Sequence, residues 1–323
     1  MRVCVVGAGA IGTFLGARLA RSGCRVSVLA RGATLEALRR HGMRLEQAGA
    51  LVTAKVIAAD DPASLGRQDL VVLAVKGPSL AEVARQVPAL LGPDTAVLTA
   101  MNGVPWWFFE GGAGEHAGLR LESIDPGGRI AALIPSRAVI GCVVHATCSV
   151  VEPGLCRHGF GNELIVGEPD GGTSARLAAA AGGLRAAGFD VTVSGHIQAE
   201  IWYKLWGNMT MNPISALTGA TTDRLLDDPL VNRFCLSIMA EAAAIGERIG
   251  CPIKQSGEDR NAVTRKLGAF KTSMLQDALA GRPLEIDALL TAVTEIGARV
   301  GVPTPNADAL LGLARVFEAS RRG

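Results

Sequence analysis

Three glycines near the start of the chain, Gly7, Gly9 and Gly12, have the spacing G-x-G-x-x-G. They follow the apolar stretch RVCVV and run into IGTFLGARLA, which are the patterns of a buried strand and a helix. In that setting glycines allow a tight turn, and backbone N–H groups at the helix N-terminus can approach a pyrophosphate. The alternative is a tight turn that binds no ligand. The predicted nucleotide-binding turn consists of Gly7, Ala8, Gly9, Ala10, Ile11 and Gly12.

Arg31 follows CRVSVLA, the second predicted strand, where NAD-binding turns carry Asp or Glu for the ribose 2′-hydroxyl. A guanidinium suits a 2′-phosphate by its charge and its planar set of donors, so the sequence favours NADP(H) as the cofactor. A surface arginine without a ligand is the alternative interpretation. Glu36 is the nearest acidic residue that could take the place of the missing acid.

Two more apolar runs, DLVVLAVK (69–76) and TAVLTAMNG (95–103), read as parallel strands that end in Lys76 and Asn102. Since the carboxyl ends of parallel strands meet at one edge of a sheet, both side chains are expected beside the nicotinamide half of the cofactor. A lysine and an amide there are useful donors for ring, ribose or substrate oxygens. A lysine that is merely solvated is the alternative.

A polar stripe recurs every four residues in the apolar stretch HIQAEIWYKLWGNMTMNPISALTG: Glu200, Lys204, Asn208 and Asn212. This spacing places them on one side of a helix, and buried polar groups need partners. Pro213 and Gly207 predict that the helix ends or distorts near the amides. The alternative is an exposed face on which Glu200 and Lys204 form an ordinary i, i+4 ion pair.

A second polar cluster lies in KTSMLQDALAGRPLEID and comprises Ser273, Arg282, Glu285 and Asp287. Its first half has helical character, which GRP interrupts. Taken alone, the cluster is typical of a polar helix end with a capping Asp, and its composition does not single out Glu285.

The arrangement of these motifs predicts an α/β protein. A Rossmann-type dinucleotide-binding domain is expected over 1–194, with strands over 139–168 that extend the sheet antiparallel and a helix over 178–188 that packs on it. From 195 to 323 almost no strand signal remains, so the second domain is predicted to be all-α and to carry the substrate and catalytic groups. A chain of 323 residues is long enough for two such cores.

Composition excludes several classes of protein. A hydrophobic share of 49% with 19% charged residues argues against disorder, and no block of like charge resembles a nucleic-acid-binding arm. The net charge of +2 is uninformative about partners. We expect no membrane span, because no apolar stretch reaches the roughly 20 residues that a bilayer needs. The apolar start lacks a signal-peptide cleavage pattern, so we expect a cytoplasmic protein.

The seven cysteines are scattered and never form C-x-x-C, which favours reduced thiols. Cys142, His145, Cys148, Cys156 and His158 crowd one region and raise a zinc interpretation. Strand alternation accounts for them and metal-ligand spacing is absent, so we expect no metal.

The combined motifs resemble the ketopantoate reductase (2-dehydropantoate 2-reductase) family over nearly the whole chain. The resemblance rests on GAGAIG, on Arg31 after the second strand, on VK at 75–76 and NG at 102–103, and on IWYKLWGNMTMNP and TSMLQD…LEID. Several independent motifs in one order are much more specific than any one of them.

The resemblance implies NADPH-dependent reduction of ketopantoate to pantoate, a step toward pantothenate and coenzyme A, in a cleft between a Rossmann domain and a helical domain. It makes Lys204 the catalytic lysine and Glu285 its acidic partner. It assigns Asn208, Asn212 and Ser273 to substrate binding, with Asn102 and Lys76 in contact with cofactor or substrate. The apolar helices of the second domain permit a homodimer.

The sequence also departs from the family. Ser79 stands where many relatives have Gln, Met101 replaces Gln or His, and the loop LRLESIDPGGR is absent from shorter relatives. The neighbouring run Trp106–Phe109 is more typical of packing than of a substrate pocket. These changes leave the reaction type intact and the substrate open, so a reductase of another 2-keto acid is the first alternative. An enzyme that joins amino and keto acids is a second, and a dinucleotide sensor without activity is a third, against which Lys204 and Glu285 count.

Overall fold

The structure, a computed structural model, describes residues 1–112 and 115–321. The chain forms two compact units. Unit 1 comprises Met1–Met101, Trp107–Leu119 and Gly128–Ile197, and unit 2 comprises Asn102–Trp106, Arg120–Gly127 and Gln198–Gly323. The predicted domain boundary near 194 stays a prediction.

Twelve strands are found in the described part of the chain: β1 (Arg2–Val6), β2 (Arg25–Leu29), β3 (Met43–Gln47), β4 (Ala50–Ala54), β5 (Ile57–Ala59), β6 (Leu70–Leu73), β7 (Ala96–Thr99), β8 (Val139–His145), β9 (Cys148–Glu152), β10 (Leu155–His158), β11 (Glu163–Gly167) and β12 (Asp190–Val193). Eight of them form the main sheet of unit 1, in the order β12-β11-β8-β7-β6-β1-β2-β5. Only β11 and β12 run against the other strands of this sheet. Strand β1 lies between β2 and β6, so the order in which successive strands are added reverses at β1.

Five helices accompany this sheet: α1 (Ala10–Arg21), α2 (Gly32–His41), α3 (Gly77–Ala84), α4 (Arg129–Leu133) and α5 (Ala175–Ala186). Helix α1 buries Phe14, Leu15 and Leu19 in the core beneath the sheet, because these positions share one face of the helix. Helix α5 packs Ala181 and Leu184 into the same core. The predicted β-α-β unit at the start of the chain and the predicted helix over 178–188 are confirmed.

The prediction that the strands over 139–168 extend the main sheet antiparallel is confirmed for β11, which pairs antiparallel with β8. It is wrong in direction for β8, which pairs parallel with β7, and wrong in the choice of sheet for β9 and β10. Both belong to a second, four-stranded sheet in the order β4-β3-β10-β9. The backbone N–H of Thr147 donates a hydrogen bond of 2.8 Å to the Phe160 carbonyl oxygen. This bond joins the two ends of the segment between β8 and β11, which leaves the main sheet and returns to it. Strand β10 pairs with β3, which lies more than a hundred residues earlier, and local periodicity cannot reveal such a pairing.

All regular secondary structure in the described residues of unit 2 is helical, as predicted. Its helices are α6 (Ile197–Thr218), α7 (Thr222–Asp227), α8 (Pro229–Arg248), α9 (Gly257–Arg265), α10 (Ser273–Leu279), α11 (Ala292–Val300) and α12 (Pro305–Ser320), with a π-helical turn at Asp287–Thr291. The indole N–H groups of Trp202 and Trp206 donate to backbone oxygens of α8 at 3.2 and 2.7 Å. These bonds fasten α6 against α8.

Helix α6 does not end near the amides, contrary to one of the two outcomes predicted from Pro213. It runs through the proline to Thr218. Proline removes one backbone hydrogen bond at a cost of about 3 kcal/mol. Met209 and Ile214 on either side are buried, and packing of this kind outweighs that cost.

The described residues contain no helix that is long and apolar enough to cross a membrane. They also contain no group of three or more His, Cys, Asp or Glu side chains able to hold a metal ion. The seven cysteines are free thiols.

Candidate active-site residues

The glycine turn of unit 1 has a backbone that requires glycine at two of its three positions. Gly7 has φ of 96°, and a β-carbon there would lie 2.6 Å from Val75 Cγ1 and 2.7 Å from the Ala74 carbonyl oxygen. A β-carbon at Gly12 would lie 1.9 Å from the Gly7 carbonyl oxygen. The space at Gly9 differs, because a β-carbon there would meet no atom within 4 Å. The turn is therefore closely packed beneath and open at Gly9.

The N-terminus of α1 opens at this turn and is suited to an anion. Gly9 is the N-cap, so no side chain caps the helix, and no acidic residue occurs in its first turn. The first N–H groups of a helix have no partners within it, and the helix dipole adds positive potential at that end. Strand β1 is also the point at which strand order reverses, where α/β sheets bind ligands. The residues present fit a dinucleotide pyrophosphate.

Arg31 is the N-cap of α2 and is largely exposed, as a residue that meets a ligand phosphate should be. Its guanidinium forms an ion pair with Glu82 of α3, in which two nitrogens contact both carboxylate oxygens. The hydrogen bonds and charge of Arg31 hold the pKa of Glu82 below its usual value. Sequence analysis missed Glu82, since 51 positions separate the two residues. Glu36, the acidic competitor considered from the sequence, is exposed on α2.

Lys76 and Asn102 do not end their strands, as the sequence predicted, but follow them at a short distance. Strand β6 ends at Leu73, and Lys76 is the exposed N-cap of α3. Strand β7 ends at Thr99, and Asn102 begins the short segment 102–106 that belongs to unit 2. In each case the backbone leaves the sheet before the polar residue, because the last apolar positions are sufficient to complete the buried strand.

Within unit 2, Lys204 and Asn102 meet directly. Lys204 Nζ donates a hydrogen bond of 2.9 Å to Asn102 Oδ1. Lys204 is half-buried in α6, and the amide oxygen of Asn102 positions its ammonium. A half-buried, hydrogen-bonded ammonium is a suitable donor to an oxygen that gains negative charge.

The segment that carries Asn102 is held against the residues that follow Glu285. Val104 N donates to the Ala288 carbonyl oxygen at 3.0 Å. Gly103 has φ of 78°, and a β-carbon there would lie 2.4 Å from the same oxygen. Ala288 belongs to the π-helical turn at Asp287–Thr291, a type of turn that is frequent at functional sites. One short segment thus contacts both α6 and the turn just beyond Glu285, whose side chain is only 5% exposed.

The other predicted substrate groups lie on helices of the same unit. Asn208 is half-buried one turn after Lys204 on α6, and Asn212 is 6% exposed one turn further. These spacings correspond to about 6 and 12 Å along the helix axis. Ser273 is half-buried as the first residue of α10, which Thr272 caps by accepting a hydrogen bond from Leu275 N at 3.1 Å.

The aromatic run Trp106–Phe109 is packed rather than exposed, since all four side chains are buried. Trp107 is completely buried beside Gly141, where a β-carbon would come within 2.7 Å of the indole. The run therefore serves packing, as the sequence suggested.

The long loop that follows is fastened within unit 2 by Glu295. Its carboxylate accepts hydrogen bonds from the backbone N–H groups of Glu122 and Ser123 at 2.9 and 3.0 Å. An open pocket of about 550 Å³ lies next to this contact, lined by Ser123, Thr291, Thr294, Glu295, Ala298, Val302, Pro303, Thr304 and Asp308. None of the predicted site residues lines it.

Comparison with known proteins follows the same division of the chain. Residues 3–171 match the family Ketopantoate reductase PanE/ApbA, and residues 196–318 match Ketopantoate reductase PanE/ApbA C terminal. The chain is 45% identical over 322 residues to a 2-dehydropantoate 2-reductase of Mesorhizobium japonicum, covering 99% of each protein.

Solved structures agree with these matches. A Ralstonia solanacearum protein with the provisional name ketopantoate reductase is 60% identical, with a TM-score of 0.96 over 99% of this chain and 98% of that one. The 2-dehydropantoate 2-reductase of Geobacter metallireducens is 27% identical, with a TM-score of 0.85 over 98% of this chain and 99% of that one. The predicted fold class is confirmed.

Proposed function

Because the chain belongs to the ketopantoate reductase family, we propose that it reduces 2-dehydropantoate (ketopantoate) to pantoate with NADPH as the reductant. The observation that carries the catalytic part of this proposal is the bond from Lys204 Nζ to Asn102 Oδ1. This bond orients the ammonium of Lys204, and the same helix also carries Asn208 and Asn212.

The residues proposed to bind the phosphates of the dinucleotide belong to unit 1. When bound, reduced nicotinamide supplies a hydride to the keto carbon. The open turn at Gly9 and the uncapped start of α1 bind the pyrophosphate through backbone N–H groups. Arg31 binds the 2′-phosphate with its planar donors, and Lys76 and Asn102 contact the nicotinamide half or the substrate.

Lys204 carries the chemistry at the substrate oxygen. Reduction of a ketone leaves negative charge on that oxygen, and an ammonium both stabilises the charge and donates the proton that completes the hydroxyl group. Asn102 accepts a hydrogen bond from the same ammonium and so holds it in one direction. Glu285, buried before the π-helical turn, acts as the acidic partner that returns a proton to Lys204.

Asn208, Asn212 and Ser273 bind the rest of the substrate. Side-chain amides and a hydroxyl both donate and accept hydrogen bonds, so they can hold a carboxylate and a substrate hydroxyl together. Their partial burial supports this role, because hydrogen bonds from partly buried groups to a substrate are weakened less by competing water.

A reductase of another 2-keto acid is the second candidate function. It is favoured by the departures at Ser79 and Met101 and by the loop that Glu295 fastens, which shorter relatives lack. These features change the surroundings of a substrate without removing Lys204 or Glu285.

A steady-state assay of the purified protein with NADPH and a panel of 2-keto acids tests the proposal. We expect ketopantoate to give the highest kcat/KM. A bulkier keto acid with a tenfold higher kcat/KM, equivalent to about 1.4 kcal/mol of transition-state binding, transfers the assignment to the second candidate. Binding of NADPH without turnover of any keto acid would indicate a sensor. The homodimer stays a prediction, to be tested by analytical ultracentrifugation.

A further inference from the structure

The ion pair between Arg31 and Glu82 occupies the residue proposed to bind the cofactor phosphate. Two guanidinium nitrogens contact both carboxylate oxygens, with Nη2 to Oε2 at 3.2 Å. The side chains are 70% and 52% exposed, so neither is held by a surrounding core. Besides Arg31, the charge that acts on Glu82 is that of Arg85, three residues further along the chain.

The topology of unit 1 places this pair beside the glycine turn. Arg31 follows β2 and Glu82 lies in α3, which follows β6, and β1 runs between these two strands. Gly7, which begins the turn after β1, lies directly against Ala74 and Val75 in the segment that leads to α3. The pair therefore connects the two elements that flank the proposed pyrophosphate site.

A guanidinium presents a limited set of planar donors, and Glu82 already uses two nitrogens of Arg31. A ribose 2′-phosphate needs the same donors, and it carries negative charge that a nearby carboxylate repels. NADH has a 2′-hydroxyl instead of this phosphate, so it can bind without separating the pair. Glu82 therefore affects the two cofactors differently.

We propose that Glu82 is a specificity-determining residue that competes with the 2′-phosphate for Arg31 and so limits the preference for NADPH over NADH. This inference rests on the proposed function, in which Arg31 binds the 2′-phosphate. It adds to that function a residue that opposes the cofactor preference instead of supporting it.

Binding measurements on the full chain test the inference without relying on turnover. NADPH and NADH are titrated by nicotinamide fluorescence, and 2′,5′-ADP and 5′-ADP by calorimetry, against the wild type and Glu82→Gln. Removal of the carboxylate leaves the donors of Arg31 to the phosphate and removes the repulsion between two negative charges, so NADPH and 2′,5′-ADP should bind about two- to tenfold more tightly. NADH and 5′-ADP should change by less than about twofold.

The matched control is Asp69→Asn. Asp69 forms an exposed ion pair with Arg2 at 2.7 Å. The pair lies where β1 and β6 begin, away from the glycine turn that follows the end of β1. The Asp69→Asn substitution removes the same kind of contact from the same unit, but away from Arg31. It should therefore leave the affinities for all four ligands unchanged. Arg31→Ala should weaken NADPH and 2′,5′-ADP, and it should reduce the gain from Glu82→Gln when the two changes are combined.

Three outcomes overturn the inference. The first is that Glu82→Gln binds NADPH no more tightly than the wild type, while Arg31→Ala still weakens NADPH binding. This result overturns the inference about Glu82 and leaves the proposed cofactor in place. Tighter binding of both cofactors shows that Glu82 acts on overall charge and not on the phosphate. Equal binding of NADPH and NADH by the wild type, with no effect of Arg31→Ala, overturns the proposed cofactor and the inference together.

Discussion

Lys204 Nζ and Asn102 Oδ1 lie 2.9 Å apart, although 102 positions of sequence separate the two residues. The contact joins α6 to the short segment that leaves β7, within one compact unit. An ammonium has three N–H donors, and this bond uses one of them. The amide thus orients the charge without neutralising it.

Replacement of Lys204 by Ala should lower kcat by roughly 10²–10⁴, the range for loss of a positioned acid or of a donor to a developing negative charge. The affinity for NADPH should scarcely change, because the residues proposed to bind the pyrophosphate belong to unit 1. Steady-state kinetics and fluorescence titration measure the two effects separately.

Glu200→Ala is the control for this variant, as Glu200 lies one helical turn before Lys204. If the two residues formed only a surface ion pair, each would contribute at most about 1 kcal/mol to stability and neither would affect chemistry. Wild-type kcat in the Lys204→Ala enzyme, on its best substrate, would show that the lysine belongs to a solvated face.

Replacement of Glu285 by Ala should also lower kcat, because we propose that its carboxyl passes a proton from solvent to Lys204, replacing the one that the substrate keeps. Residues that act on one proton route are not additive. The double variant of Lys204 and Glu285 should therefore lose much less than the product of the two single losses. A fully multiplicative loss in kcat would show that the residues act independently, and melting curves would identify a variant that fails to fold.

Alanine substitutions at Gly9 and Gly12 should separate cofactor binding from folding. Gly12→Ala forces a β-carbon against the Gly7 carbonyl oxygen at 1.9 Å and should cost about 2 kcal/mol of stability or more. Gly9 has φ of −77° and open space around it, so Gly9→Ala should fold normally. Its methyl group would occupy the space proposed for the pyrophosphate and should weaken NADPH about tenfold or more. Thermal melts with and without NADPH measure both effects, and a Gly9→Ala protein with unchanged NADPH affinity contradicts the proposed phosphate site.

Buried thiols should make the folded protein less stable in alkaline solution. Burial raises the pKa of Cys4 from 9.0 to about 11 and that of Cys235 and Cys251 to about 12. Above pH 9 the unfolded chain releases these protons while the folded chain keeps them, so stability present below pH 9 is lost as pH rises toward 11. Each thiol contributes a slope of about 1.4 kcal/mol per pH unit in that window.

Denaturant unfolding at intervals between pH 8 and 11 measures this slope. Cys4→Ala should make the decline shallower by one thiol. Equal slopes in the wild type and Cys4→Ala would show that other groups dominate alkaline unfolding.

Short-range patterns in the sequence were sufficient to determine the glycine turn, the β-α-β unit and the helical character of unit 2. At Gly12 the constraint is local, because a β-carbon there would meet the Gly7 carbonyl oxygen five residues earlier, which is why the spacing alone predicted it. At Gly7 the φ of 96° favours glycine, whereas the contacts with Ala74 and Val75 come from the fold. The four-residue spacing of Lys204, Asn208 and Asn212 likewise determined that they share one side of a helix.

Tertiary structure decided which distant residues meet. It paired β10 with β3, joined Lys204 to Asn102 and brought Glu82 to Arg31. It also continued α6 through Pro213, where local propensity predicts an end or a distortion. The physical reason is the same in each case. Periodicity records which face of an element is apolar, but the partner that covers that face, and the polar contacts that packing then brings together, depend on how distant elements assemble.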